Sequence, residues 1–147
     1  KAAAVVEAVA DGGVTASVCE DLDTAVAAAD VISCVTGATR PFIKGALLKP
    51  GAHLDLIGGF NLEMRESDDD CVRRATIFVD TREDAILAGD LAQPLADGVI
   101  VDDDLVADLA DLVSGRHPGR TSDDEITFFK SAGTALEDLA AAQLAFA

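Results

Sequence analysis

The sequence predicts an α/β fold in which a parallel sheet carries helices on both faces. Continuous apolar runs at residues 31–36, 53–57 and 76–79 are typical of strands that are buried on both sides. Helix-forming segments separate these runs, and such alternation indicates βαβ units. The chain has 147 residues, of which 50% are hydrophobic, and this is enough for one domain with its own core.

The helix predictions rest on stop and cap signals. Asp11-Gly12-Gly13 ends the first helix, and Ser67-Asp68-Asp69-Asp70 offers N-caps for a helix that ends at Arg74. The first helix is predicted at residues 2–9 and further helices at 20–28, 81–88 and 131–146, with one helical turn at 43–48. Residues 105–113 are amphipathic with helical spacing, and Pro94 and Gly98 mark an irregular stretch before them.

The strand predictions rest on β-branched and apolar runs. Residues 15–19 form a short β-branched run, which predicts a strand ahead of the three buried ones. Residues 126–130 follow a polar loop, and the pattern assigns no element to them.

The net charge of −16 and the pI of about 4.1 argue against two classes of partner. Nucleic acids and anionic membrane surfaces both require clustered Lys and Arg, so neither is predicted. The acidic residues are spread over helix faces and turns, as on an ordinary solvated surface. Adaptation to high salt, which screens self-repulsion, is the alternative interpretation.

The three cysteines favour a reducing compartment. Cys19, Cys34 and Cys71 form no CxxC pair and are odd in number, so neither a disulfide framework nor a metal site is predicted. The sequence shows no signal-peptide or membrane-span pattern, and we predict a cytoplasmic location. Residues 1–10 have the pattern of a helix interior without an N-cap, so we expect the chain to be part of a larger protein.

Ligands of open parallel sheets bind beyond the carboxyl ends of the strands. Three such ends are predicted, at residues 36–39, 57–60 and 80–82. Glycines at the first two allow close backbone approach to a ligand, although ordinary turns also use glycine. The sequence contains neither GxGxxG nor GxxxxGK[ST], the loops that hold phosphates at a helix N-terminus. His53 and His117 are isolated, and no catalytic residue is predicted.

Several segments carry a more specific pattern. They are ADVISCVT at residues 29–36, LKPGAHL at 48–54, IGGF at 57–60 with MRE at 64–66, GRTSDDEIT at 119–127 and FKSAG at 129–133. In this order, over nearly the whole chain, they make the sequence resemble the ornithine cyclodeaminase/mu-crystallin family.

The resemblance implies a Rossmann-type NAD(P)-binding domain over residues 1–130. Its first two strands and its phosphate loop are expected outside this chain. In the order 3-2-1-4-5-6 those strands would separate residues 15–19 from residues 31–36 by about 14 Å, so these two segments should not pair. Residues 131–147 are expected to form a helix leading back toward a dimerisation and substrate domain, in a homodimer that acts on a small amino or imino acid.

The resemblance also implies roles for named residues. The expected cofactor contacts are Thr36, Gly37, Ile57, Gly58, Gly59 and Ser131, and the expected substrate contacts are Ser131 and Ala132. The cofactor is NAD or NADP, because the segment that would choose between them is not in the sequence.

Phe60 bears on the activity. The cyclodeaminase and alanine dehydrogenase branches carry an Asp at this position that transfers protons, which Phe cannot do. The resemblance therefore favours a reductase of cyclic ketimines such as 1-pyrroline-2-carboxylate. Ornithine cyclodeaminase, an alanine dehydrogenase-like enzyme and a non-catalytic, crystallin-like binding protein are the alternatives. A substrate-facing Glu of the mu-crystallin branch has no clear counterpart between Glu83 and Gly89.

Overall fold

The computed structural model describes residues 1–146. One parallel sheet with the strand order β1-β2-β5-β3-β4 forms its centre. The strands are β1 (Val31–Cys34), β2 (His53–Leu56), β3 (Thr76–Val79), β4 (Leu105–Asp108) and β5 (Thr127–Lys130). The helices are α1 (Ala2–Val9), α2 (Leu22–Ala28), α3 (Asp69–Arg74), α4 (Arg82–Ala85), α5 (Gly89–Ala96), α6 (Leu109–Val113) and α7 (Ala135–Ala145).

The core lies on one face of the sheet. Leu54, Leu56 and Phe128 pack there with residues from helices α2 to α5, among them Val26 and Leu91, and all five side chains are buried. Burying aliphatic and aromatic side chains in this way is the main favourable contribution to folding. Helices cover this face because the apolar side of each strand must be shielded from water.

The opposite face has a thinner cover. Phe78 points away from the core residues Ile77 and Val79, and its ring meets His117 edge-on at 5.5 Å between centroids. Leu112 of α6 lines the same small cavity as Phe78. Elements therefore lie on both faces of the sheet, as the α/β prediction requires.

Side-chain caps begin three of the helices. Asp68 accepts a hydrogen bond from Cys71 N at 3.2 Å at the start of α3, and Asp108 accepts one from Asp111 N at 2.8 Å at the start of α6. Thr134 and Glu137 form a capping box at the start of α7. These bonds satisfy backbone N–H groups that have no partner within the helix.

The predicted strand at residues 15–19 is wrong. These residues are mostly exposed and belong to no strand. A β-branched run becomes a strand only beside a neighbour that pairs with its backbone groups. β1 is an edge strand, and residues 15–19 do not pair with it, which agrees with the expectation that the two segments are separated.

Two strands and a helix went unpredicted. The amphipathic segment at residues 105–113 divides at the Asp108 cap into β4 and α6. Residues 127–130 form β5, which lies between β2 and β3. In the order 3-2-1-4-5-6, β2 and β3 would be direct neighbours. The supposedly irregular stretch around Pro94 is helix α5, in which the proline lies near the C-terminal end.

The last segment of the chain is exposed. Helix α7 begins at Ala135 instead of residue 131, because Thr134 caps it, and Leu136, Leu139 and Leu144 all face solvent. Over residues 1–146, no helix combines the length and the apolar character that a membrane crossing requires.

Candidate functional site

The carboxyl ends of four strands form one edge of the sheet. Cys34 is in register with Leu56, Leu56 with Lys130, and Lys130 with Val79. The segments that follow, at residues 35–37, 57–59, 131–133 and 80–81, therefore lie next to one another in that order. The insertion of β5 brings Ser131 between the ends of β2 and β3.

The ends of β1 and β2 are in close contact. The N–H groups of Ile57 and Gly58 both donate to Cys34 O, at 2.9 and 3.2 Å. A Cβ atom at Gly58 would lie well under 3.0 Å from the backbone N and O of Thr36. Glycine is thus required at position 58 by the fold itself.

A buried carboxylate joins these two strand ends. Glu66 is fully buried, and its Oε1 accepts hydrogen bonds from Thr36 N at 2.6 Å and Thr36 Oγ1 at 2.7 Å. Its Oε2 accepts one from Gly58 N at 3.1 Å. Hydrogen bonds to a charged acceptor are shorter and stronger than neutral ones, so Glu66 fixes the relative position of the two ends.

A second buried carboxylate supports Glu66. Asp90 Oδ1 accepts hydrogen bonds from Glu66 N, Ser67 N and Ser67 Oγ, each at 2.9 Å. Asp90 Oδ2 is buried without a hydrogen-bond partner and faces the Cα of Gly59, where a Cβ would lie 2.7 Å away. Burial raises the pKa of Asp90, against the lowering effect of its hydrogen bonds.

Lys130 is a fully buried cation of this region. It ends β5 with no exposed surface, and its Nζ donates to Leu56 O at 3.0 Å. Burial lowers the pKa of Lys130, while the nearby carboxylates of Asp90 and Glu66 oppose that shift. The ammonium offsets part of the negative charge beneath the strand ends.

Asp80 shapes the loop after β5. Its Oδ2 accepts from Ala132 N and Gly133 N at 2.7 Å each and from Ser131 Oγ at 3.3 Å, and its Oδ1 accepts from Thr81 N at 2.7 Å. Asp80 is 4% exposed. One carboxylate at the end of β3 thereby holds the predicted substrate residues Ser131 and Ala132 in place.

The predicted site residues gather at this edge but differ in accessibility. Thr36, Gly37 and Ile57 are exposed, whereas Gly58 is half-buried. Ser131 and Ala132 are half-buried. Gly59 is buried, and a Cβ at this position would point at Asp90 and the backbone of Met64, into the protein interior. Phe60 is 62% exposed beside the same edge.

Gly37 has no packing reason to be glycine. A Cβ there would meet only Met64 Cε, at 3.9 Å, and its φ lies outside the left-handed region. The backbone at position 37 is open to solvent, so a flat ligand group can approach it closely. This fits a planar ring or a ribose at the end of β1.

Sequence reasoning missed four residues that organise the site. Glu66 and Lys130 lie within the quoted motifs and Asp80 lies at the end of β3, whereas Asp90 lies in helix α5, and no role was assigned to any of the four. The signal that could have identified Asp80 and Lys130 is a charged residue directly at the end of an apolar run. His53, by contrast, is a hydrogen-bonded structural residue, with Nδ1 2.8 Å from Thr127 Oγ1 and a pKa lowered by burial.

The variant Asp90→Asn tests the buried carboxylate. Because burial raises the pKa of Asp90 in the folded protein, ionisation of Asp90 destabilises the protein above that pKa, and this penalty shrinks as the pH falls from that pKa toward the ordinary value of 3.8. Asn keeps an acceptor for Glu66 and Ser67 and removes the charge, so we expect Tm at pH 7 to rise. The difference in Tm between variant and wild type should shrink as pH falls. A lower Tm for Asp90→Asn at pH 7 would contradict this account.

Comparison with known proteins identifies the family of this chain. The profile of the ornithine cyclodeaminase/mu-crystallin family matches residues 1–146. The chain belongs to this family. The family resemblance of the motifs is thereby confirmed.

Members of the family with curated names show the same relationship. The chain is 47% identical over 120 residues to a Delta(1)-pyrroline-2-carboxylate reductase of Paracoccus denitrificans, covering 81% of this chain and 38% of that protein. It is 39% identical over 129 residues to the ketimine reductase mu-crystallin of Mus musculus, and the match covers 88% of this chain and 39% of that protein. The chain thus spans about 40% of the length of these relatives.

A solved structure matches the fold of this family member. The Delta(1)-pyrroline-2-carboxylate reductase of Thermococcus litoralis, in complex with NADH and L-proline, superposes with a TM-score of 0.90 at 32% identity. The match covers 99% of this chain and 44% of that one. The α/β sheet described above is therefore of the Rossmann type, as the resemblance implied.

Proposed function

We propose that the complete protein is an NAD(P)-dependent reductase of cyclic ketimines, with 1-pyrroline-2-carboxylate as the model substrate. The observation that carries the proposal is the edge formed by Thr36, Gly37, Ile57 and Ser131, next to an exposed Phe60. The named relatives are reductases of this substrate class, and the superposed structure holds NADH and L-proline, which supports the same reaction.

The proposed cofactor lies with its nicotinamide end over this edge. Thr36 and Gly37 contact it from β1, Ile57 and Gly58 from β2, and Ser131 from β5. The cofactor supplies the hydride, and this chain supplies hydroxyl and backbone groups that orient it without adding charge. Gly59 contributes through close packing on Asp90, and Ala132 is assigned to the substrate side.

Phe60 favours reduction of a preformed imine. An exposed phenyl ring can shield a ring substrate from water, but it cannot take a proton from an amino group. Ornithine cyclodeamination and alanine oxidation both need such a transfer. An enzyme that receives its substrate as an imine needs only hydride delivery and a proton from groups outside this chain.

The assembly and location follow the same proposal. Helix α7 leads from the NAD(P)-binding domain, residues 1–130, toward a dimerisation and substrate domain, and the protein acts as a cytoplasmic homodimer. The exposed leucines of α7 support an assembly with a further domain or subunit, because exposed large apolar side chains on one helix favour a covering partner.

Turnover by the complete protein tests the proposal. Reduced-cofactor consumption is followed with 1-pyrroline-2-carboxylate, ammonia release with ornithine, and cofactor reduction with alanine. We expect activity only in the first assay, with either NADH or NADPH. Ammonia release from ornithine without imine reduction would refute the reductase, and tight cofactor binding without any turnover would identify a binding protein.

A further inference from the structure

The hydroxyl proton of Thr36 has a fixed direction. Thr36 Oγ1 lies 2.7 Å from Glu66 Oε1, a normal length for a strong O–H to carboxylate bond. The same Oε1 accepts Thr36 N at 2.6 Å. A carboxylate oxygen here can only accept, so the hydroxyl must donate to Glu66 and its proton points into the protein.

Because its proton is donated to Glu66, the Thr36 hydroxyl can only accept further hydrogen bonds. A threonine hydroxyl has one proton and two lone pairs. Ala38 N donates to Thr36 Oγ1 at 3.2 Å and occupies one lone pair. Thr36 is exposed, so the second lone pair is left for a group that approaches from the open side.

Glu66 has no freedom to release this bond. It is fully buried, its Oε2 accepts Gly58 N at 3.1 Å, and its own N–H donates to Asp90 Oδ1 at 2.9 Å. Rotating Glu66 would leave the part-buried N–H of Thr36 without a partner and would remove one of the two acceptors of Gly58 N. The orientation of the Thr36 hydroxyl is therefore set by the fold before any ligand arrives.

We propose that Thr36, oriented by Glu66, is a specificity-determining residue that accepts a hydrogen bond from an N–H or O–H donor of the bound cofactor. The inference rests on the proposed function, because it takes the ligand at this edge to be the nicotinamide half of NAD(P)H. That half offers two kinds of donor, the amino group of the carboxamide and the ribose hydroxyls. A group that offers only lone pairs is disfavoured at this position.

Ser131 provides an internal contrast. Its Oγ lies 3.3 Å from Asp80 Oδ2, beyond the usual 2.7–2.8 Å of an O–H···O bond. The Ser131 hydroxyl is therefore freer to rotate and can donate or accept. We expect Ser131→Ala to weaken cofactor binding without selecting among cofactor analogues.

Binding of cofactor analogues to the complete protein tests the proposal. The probes are NADH, its 3-acetylpyridine analogue, in which methyl replaces the carboxamide amino group, and an analogue that lacks the 2′-hydroxyl of the nicotinamide ribose. Each is titrated against wild type, Thr36→Val, Thr36→Ser and Thr36→Ala. We expect Thr36→Val and Thr36→Ala to bind NADH about 3- to 10-fold more weakly, and Thr36→Ser to stay within about twofold of wild type.

The analogues identify the donor. One of them should bind wild type about 3- to 10-fold more weakly than NADH, and this gap should close in Thr36→Val. Closure with the acetylpyridine analogue assigns the donor to the carboxamide, and closure with the deoxy analogue assigns it to the ribose. The inference would be overturned if the affinity gap between NADH and each analogue were the same in Thr36→Val and Thr36→Ala as in wild type. It would also be overturned if both variants bound NADH as tightly as wild type does.

Glu66→Met tests the orienting role of the carboxylate. Methionine is similar in length and removes both acceptor oxygens, so the Thr36 hydroxyl can then rotate and donate. We expect the gap between NADH and the discriminating analogue to shrink, whereas loss of mere structural support would lower both affinities equally. Wild type that binds neither NADH nor NADPH would refute the proposed function as well, while NADH binding without analogue discrimination would refute this inference alone.

Discussion

Gly58→Ala is expected to destabilise the complete protein by about 3 kcal/mol or more. The new Cβ would lie well under 3.0 Å from backbone atoms of Thr36 and 2.6 Å from Glu66 Oε1. Neither the strand end nor the buried carboxylate can move aside, because hydrogen bonds hold both. The expected readouts are a lower Tm in thermal unfolding and loss of NAD(P)H binding.

Two matched glycine substitutions separate fold from site. Gly37→Ala places its Cβ 3.9 Å from Met64 Cε, so we expect a change in stability within about 0.5 kcal/mol but weaker cofactor binding. Gly12→Ala meets nothing within 4 Å and should leave both properties unchanged. Equal stability of Gly58→Ala and Gly37→Ala would refute the close contact between the strand ends.

Asp80→Ala is expected to have the second large effect, a loss of about 2–4 kcal/mol together with weaker cofactor and substrate binding. The substitution leaves the N–H groups of Thr81, Ala132 and Gly133 without their acceptor. The loop that begins at Ser131 then loses its attachment to the end of β3. The measurements are the free energy of unfolding in urea and the KM for the cofactor and the imine.

Two further substitutions control for charge and shape. Asp97→Ala removes the same charge at an exposed position and should change stability by less than about 0.5 kcal/mol. Asp80→Asn keeps one oxygen for Ala132 and Gly133 and should fall between wild type and Asp80→Ala. A stability of Asp80→Ala equal to that of Asp97→Ala would show that the carboxylate does not hold the loop.

The sequence alone was enough to predict the strands that follow a continuous apolar run. β1, β2 and β3 each follow an apolar run, and their positions were predicted to within two residues. Their predicted burial on both faces is wrong for β1, where Val31 and Ser33 are exposed, because β1 lies at the edge of the sheet. β5 lacks that signal because it contains Thr127 and Lys130, whose burial depends on hydrogen bonds from other parts of the chain. Residues 15–19 are rich in β-branched residues but form no strand, because no neighbouring strand pairs with them.

The same distinction applies to the candidate site. The strand ends that carry Gly37, Ile57 and Gly58 were predicted because ligands of parallel sheets bind beyond the carboxyl ends of the strands, and the family resemblance implied that these residues contact the cofactor. The buried charges were not, since whether Glu66 or Asp90 is buried depends on contacts with residues that are 8 to 30 positions away in the sequence. No local pattern reports on such pairs. Close packing at Gly59 against Asp90 is likewise visible only in three dimensions.

The place of β5 has a consequence for how the sheet is assembled. Within the described residues, β1 and β2 form one pair and β3 and β4 another, and β5 is the strand that joins them. During synthesis on the ribosome, the two pairs therefore remain unconnected until residue 130 has emerged. Joining the two pairs closes long loops, and this slows folding. A chain stopped before residue 127 should leave backbone groups unpaired along one edge of β2 and one edge of β3, so we expect it to aggregate.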